Sequence, residues 1–263
     1  MKDYRDINKE SWNKRTATHV KSEFYDLPGF LAGKNSLNSI ELDLLGDLSK
    51  KSVLHLQCHF GQDSLSMSRM GAEVTGVDLS DAAIAKAREL NDQLELSAEF
   101  ICCDLYELPQ HLDKKFDLVF TSYGTIGWLP DMDKWAGIVD QFLKPGGEFV
   151  IADFHPVVWM YDDDFTKVKF NYFNAGPIEE TLEGTYTDAE ESFQADYVTW
   201  NHDLAEVMTA LLNKGLKIEA FQEFNYSPYD CFAHTVEVAP GKYQLKPFGD
   251  KLPLVFALKC SKP

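Results

Sequence analysis

Residues Ser52 to Ser80 read SVLHLQCHFGQDSLSMSRMGAEVTGVDLS, and this stretch decides the fold. Val53, Leu54 and Leu56 form a short apolar run of the kind found in a parallel strand buried on both faces. Beyond a turn, Ser64, Leu65, Met67, Ser68 and Met70 recur at helical spacing until Gly71 stops them. Ala72 to Val77 is a second apolar run, closed by Asp78. In such a strand–turn–helix–strand unit the first turn brings backbone N–H groups and a helix N-terminus to a ligand. A carboxylate that closes the second strand can accept two hydrogen bonds from a ribose diol. Asp78 stands there; its alternative role is to cap the turn or helix that starts at Ser80.

The turn itself reads Gln57, Cys58, His59, Phe60, Gly61, Gln62, Asp63, without the G-x-G-x-x-G fingerprint that lets a pyrophosphate approach the backbone. Three later segments add to it. FICCDLYELP from Phe100 is an apolar strand followed by Asp104, which serves either a cofactor or a helix N-cap. FDLVFTSYGTIGWLP from Phe116 is a strand opening into a polar, aromatic and glycine-bearing loop, and FLKPGGEFVIADFHP from Phe142 is a helix end, a Pro-Gly-Gly turn and a strand.

In this order the motifs resemble the class I, Rossmann-like S-adenosylmethionine-dependent methyltransferases of small molecules, closely over residues 45 to 153 and more loosely beyond. That family's loop follows an acidic-x-Gly-x-Gly-x-Gly pattern, onto which His55, Gln57, His59 and Gly61 fall, so only the last glycine is kept. The resemblance implies S-adenosyl-L-methionine as cofactor and S-adenosyl-L-homocysteine as product. It implies a cofactor site of His55, Gln57, His59, Gly61, Asp78, Leu79, Asp104, Leu105, Ser122 and Tyr123, with Asp104 meeting the adenine amino group.

Composition narrows the partners. With 42 acidic against 25 basic residues the formal net charge is −17, which repels a polyanion, so nucleic acid is excluded as substrate and a small molecule expected. Lys50-Lys51, Lys114-Lys115 and Lys167 to Lys169 are short basic clusters that read as solvated faces. The five cysteines lack C-x-x-C spacing, and no apolar N-terminal stretch resembles a signal peptide or membrane span, so a cytoplasmic protein with reduced thiols and no membrane association is expected. Cys58 beside His59 has no matching pair, and no metal site is expected. No pattern specifies an oligomeric state.

Strands near 52–57, 73–77, 98–102, 116–121 and 147–154 alternate with helices near 62–70, 80–94 and 132–143, with Ser80 as an N-cap. Alternation predicts an α/β, doubly wound, mostly parallel seven-stranded sheet with helices on both faces. Residues 1–45 read as a helical cap or lid and 46–153 as the cofactor-binding core. Residues 154–200 read as a small antiparallel β-rich insertion after the fifth strand, covering the acceptor pocket, and 201–263 as a return to the core with a last helix and terminal hairpin. Within the insertion Lys167 to Phe173 alternates polar with apolar and predicts a strand, as does Glu180 to Tyr186.

Ligands bind outside the carboxyl ends of the strands in open α/β sheets, which directs attention to the loops after the fourth and fifth. Methyl transfer from a sulfonium needs chiefly an aligned acceptor, helped by a general base where the acceptor carries a proton. His155, just after the fifth strand, is the expected base, with Tyr123 beside it; otherwise His155 hydrogen-bonds across the insertion. Tyr25, Trp128, Trp159, Trp200 and His202 are the expected substrate pocket, with His202 or Asn201 capping the following helix as the alternative. Two other functions share the core unit: a non-catalytic sensor or partner-binding module that binds the same cofactor, and a nicotinamide-dependent oxidoreductase.

Overall fold

The computed structural model describes residues 3–183, 185, 187 and 194–263. Strands β1 (Ser52–Leu56), β2 (Glu73–Asp78), β3 (Glu99–Cys102), β4 (Phe116–Ser122) and β5 (Leu143–Phe154) run parallel, in the order β3-β2-β1-β4-β5. Two C-terminal strands, β8 (Lys217–Phe224) and β11 (Val255–Ser261), complete the seven: β11 lies antiparallel between β5 and β8. Strand order reverses between β1 and β4, the switch at which this architecture opens a crevice.

Side-chain alternation explains why both faces are covered. Leu54 and Leu56, Val119, Phe149 and Ile151, and Phe256 and Leu258 point to one face, where α6 (Met132–Phe142) and α7 (Leu204–Asn213) bring Trp135, Val139, Val207 and Leu211. Val53, Leu118, Phe120, Val150 and Ala257 point to the other, against α3 (Ser39–Leu45), α4 (Gln62–Arg69) and α5 (Asp81–Gln93). Ser80 caps α5 as expected, its Oγ accepting from Ala83 N–H at 3.1 Å. α7 is capped by neither His202 nor Asn201 but by Asp203, whose carboxylate accepts from Glu206 N–H.

The N-terminal residues form α1 (Tyr4–His19), the short α2 (Leu27–Leu31) and α3. The insertion departs from expectation. Lys167 to Phe173 is not a strand: only Val168 pairs, in an isolated bridge with Tyr161, and Val168 and Phe173 are exposed. Alternation there has no face to bury, so period alone could not hold it in a sheet. The antiparallel pair is instead β6 (Ile178–Glu183) with β7 (Gln194–Thr199); Tyr186, the end of the second predicted run, lies outside the described residues. A further hairpin, β9 (Thr235–Ala239) and β10 (Lys242–Leu245), had no counterpart in the sequence reading.

Candidate active site

The turn from β1 into α4 keeps the conformation of a glycine loop with few of its glycines. Gln57, His59 and Gly61 have φ of 54°, 51° and 81°, all left-handed. For a residue with a side chain that region costs roughly 1–2 kcal/mol, so two such positions in one turn must be held by their surroundings. Cys58 N–H donates to Val77 O (2.9 Å), His59 N–H to Asp78 Oδ2 (2.8 Å), and Gln57 Nε2 to Thr125 O (2.8 Å). Gly61 is a packing requirement: a Cβ there would stand 2.9 Å from both Ala87 Cβ and Phe100 Cε1.

Asp78 ends β2 with its carboxylate in this turn, accepting from His59 N–H and from Ser80 N–H, each at 2.8 Å. Burial pushes its pKa up to about 6, opposed by these backbone bonds. Two bonds leave lone pairs on both oxygens for a diol. Asp104 caps a short 3-10 helix through Tyr106 N–H (2.8 Å), and burial raises its pKa. Beside these, Leu79 is half-buried, while Leu105 belongs to the core. His55 is a core residue as well: Nδ1 meets Ser64 Oγ at 2.8 Å, and burial depresses its pKa to about 3.

Beyond β4 the chain turns sharply, with Tyr123 left-handed at φ 40°. Asp153, buried at the end of β5, gathers this turn: its carboxylate accepts from the N–H groups of Gly124, Thr125, Ile126 and Phe154 and from Thr125 Oγ1. Burial raises its pKa against those bonds. Ser122 Oγ donates to Asp63 Oδ2 (3.3 Å), and Tyr123 Oη donates to Glu41 Oε2 (3.0 Å).

α1 packs on the turn after β1, on α5 and on β7. Asn8 exchanges two 2.8 Å bonds with Val198 of β7, and Asn13 Oδ1 accepts from Ser80 Oγ at 2.7 Å. Trp12 lies 5.3 Å from the His59 ring and 5.1 Å from Trp128, and the Arg15 guanidinium lies over Trp12, Trp128 and Tyr197 at 5.2–5.3 Å. His19 Nδ1 meets His59 Nε2 at 3.0 Å. Burial depresses the His19 pKa to about 2, with the neighbouring His59 and Arg15 adding to it, and that of His59 to about 3. Tyr25 completes the aromatic group, 5.6 Å from His59. Among the described residues, Gln57 Oε1 and His59 Nδ1 are buried here with no hydrogen-bond partner.

The expected pocket is therefore only partly assembled. Tyr25, His59, Gln57, Asp78 and Trp128 converge with the turn, whereas Trp159 is 40% exposed and packs on Phe154 and Phe232. Trp200 stacks edge-on with Tyr4 and binds Gly127 O through its N–H. His202 is buried with Nδ1 on Glu206 and Nε2 on Leu129 O. His155 has Nε2 on Glu223 Oε1 (2.9 Å) and Nδ1 accepting from Val157 N–H (3.2 Å), so both ring nitrogens are engaged. Two groups escaped the sequence reading. Trp12, Arg15 and His19 share one helical face by their i, i+3, i+7 spacing, and Glu41 is an acid among the apolar Ile40, Leu44 and Leu45, a mismatch that marks a special position.

Comparison with known proteins agrees with this geometry. A family model described as a methyltransferase domain matches residues 53–147, the segment from β1 to the turn in β5. That segment is similar to methyltransferase domains. The ubiquinone biosynthesis O-methyltransferase of Alkalilimnicola ehrlichii is 29% identical over 135 residues, covering 50% of this chain and 54% of that protein. A protein of the same name from Yersinia pestis is 30% identical over 136 residues, 49% of this chain and 54% of its own. The chain thus spans about half the length of these relatives. Among solved structures, an S-adenosylmethionine-dependent methyltransferase from Mesorhizobium loti superposes with a TM-score of 0.60 at 23% identity, over 88% of this chain and 100% of that one. One from Clostridium acetobutylicum gives 0.58 at 16% identity over 96% and 99%. The fold shared with these structures thus extends beyond the matched segment, over most of the chain.

Proposed function

We propose that the protein is an S-adenosylmethionine-dependent methyltransferase acting on a small molecule, with the helical cap and the insertion closing the acceptor pocket. The observation that carries this is the turn after β1, left-handed at Gln57, His59 and Gly61 and fastened to the carboxylate of Asp78. The donor set fits the cofactor. Asp78 offers lone pairs to a ribose diol. Gln57 Oε1, a buried acceptor with no partner among the described residues, suits an ammonium group, and the rings of Trp12, Tyr25 and Trp128 suit adenine or a sulfonium. When bound, the cofactor supplies an activated methyl group for in-line displacement by an acceptor lone pair. The protein's part is to hold the two in line and exclude water, which α1 serves by packing on that turn.

A sensor that binds cofactor without turnover is favoured by one observation, the Gln57 and His59 side chains at positions where the family has glycine. Product formation separates the two readings. A net charge of −17 supports a small acceptor over a nucleic acid, and five unpaired cysteines suit the reducing cytoplasm. Calorimetry with S-adenosylhomocysteine and with NAD tests the cofactor assignment. We expect binding of the first only, weakened roughly ten- to a hundred-fold by Asp78→Ala through loss of a charge-assisted bond. Unchanged affinity in a folded variant removes Asp78 from the site, and preferential NAD binding overturns the assignment.

A further inference from the structure

Glu41 is completely buried (0% exposed) on α3, and among the described residues no Lys, Arg or His pairs with it. Helix capping accounts for half of its contacts: Oε1 accepts from Asn38 N–H and Nδ2, each at 3.2 Å. That reach-back bond works equally well at a surface, whereas burying a carboxylate with no cation beside it is costly. The other oxygen, Oε2, is spent on the hydroxyl of Tyr123. Tyr123 is itself in a left-handed conformation, costly for an aromatic residue, at the carboxyl end of β4 where this fold carries its reacting groups. Two unfavourable features thus meet in one hydrogen bond beside the switch point, a coincidence that packing alone does not require.

Resting on the methyltransferase reading, we propose that Tyr123 is the catalytic hydroxyl and Glu41 its positioning residue and proton sink, so that the acceptor is one with a proton to lose, an O–H or N–H compound. As the acceptor lone pair forms the bond to the methyl carbon, the carbon–sulfur bond breaks with its electron pair to sulfur. The acceptor proton passes to Tyr123 Oη, and the Tyr123 proton passes to Glu41 Oε2. One sulfonium charge and one carboxylate charge disappear together, so no net charge is stranded in the pocket. Burial, with the charge of Asp63 adding to it, pushes the Glu41 pKa up to about 7, the range in which a base both holds and releases a proton at neutral pH. Tyr123 stays neutral, its pKa driven well up by burial and by the facing carboxylate.

The groups facing Glu41 are Asp63 from α4, Tyr123 after β4, and Tyr229 after β8, which accepts from Asn38 Nδ2 at 2.7 Å and lies 5.0 Å from the Tyr123 ring. From β11, Lys259 reaches only the far end of α3, at Leu44 O, and pairs with Glu148.

The test measures transfer from deuteromethyl-labelled S-adenosylmethionine to a small-molecule extract, across pH 5.5 to 8.5 on the order of the Glu41 titration. Wild type, Glu41→Gln, Tyr123→Phe and the double variant are compared, with S-adenosylhomocysteine affinity and thermal midpoint measured in parallel. The wild-type rate should rise through the Glu41 range, and products should gain one deuteromethyl and lose one proton. Each single variant should be about a hundred-fold slower with the rise gone, the double variant no slower than either, and cofactor affinity unchanged. If Glu41→Gln does not fold, Tyr123→Phe alone must still flatten the profile. A profile that keeps its rise in either variant, or single effects that multiply in the double, overturns the relay. Wild type that binds the cofactor yet labels nothing overturns the methyltransferase reading itself, and the relay with it.

Discussion

His155 shows how a residue's neighbours decide its role. Its position after β5, before Pro156, fits either a base facing the methyl group or an imidazole that hydrogen-bonds across the insertion. In the fold its Nε2 meets Glu223 of β8, at the far edge of the sheet, and its Nδ1 takes the N–H of Val157. Burial lowers its pKa against the pull of Glu223, and with both nitrogens engaged it ties the start of the insertion to the sheet. His155→Ala should therefore cost roughly 1–3 kcal/mol in urea unfolding while cofactor affinity and the rate of label transfer stay within a few-fold of wild type. A hundred-fold loss of rate at normal stability would restore it as a base. The hydroxyl–carboxylate pair Tyr123–Glu41 takes that place because geometry, 82 residues apart in sequence, brings the two within 3.0 Å.

Elements were legible to the extent that they bury a face. The five parallel strands and α4, α5 and α6 announced themselves because each places a periodic apolar set on one of the two sheet faces. The run Lys167 to Phe173 has the period of a strand without a core to meet, since the small cluster beside it joins Val158 and Phe165 of the insertion to Leu245 and Leu254 of the C-terminal part. Of the site, Asp78 and the turn were legible from their place between two strands; α1's contribution was not, because Trp12, Arg15 and His19 gain meaning only when α1 lies on the turn.

Three histidines, His19 on α1, His55 in β1 and His59 in the turn that follows, give the fold a pH dependence. His19, His55 and His59 have folded pKa values of about 2, 3 and 3, below the ordinary 6.5, so the stability they contribute is complete above pH 6.5 and lost as pH falls toward 3. Glu41 and Asp78 are raised, from 4.5 and 3.8 to about 7 and about 6; what they contribute is present at low pH and lost as pH rises through those values. The two sets oppose one another at mildly acid pH, so urea unfolding should show a shallow dependence there and a steep loss on the acid side. His19→Asn should make the acid limb shallower by about 1.4 kcal/mol per pH unit, one proton's worth. An unchanged limb would mean that His19 is protonated, or exposed, in the folded protein.

Taken whole, the molecule is a seven-stranded α/β fold whose segment 53–147 matches a methyltransferase domain, with α1 and β7 joined through Asn8 and Val198. Its acidity, a net charge of −17, repels polyanions and supports the proposal of a small acceptor. Everything proposed about the acceptor depends on a methyl group actually leaving the cofactor, which binding cannot establish. The most direct measurement is mass spectrometry of a small-molecule extract incubated with the protein and deuteromethyl-labelled S-adenosylmethionine. The prediction is a labelled small molecule with wild type, and at least a roughly tenfold weaker signal with Asp78→Ala at limiting cofactor. Label nowhere, from a folded protein that binds S-adenosylhomocysteine, would contradict the account and leave a cofactor sensor in its place.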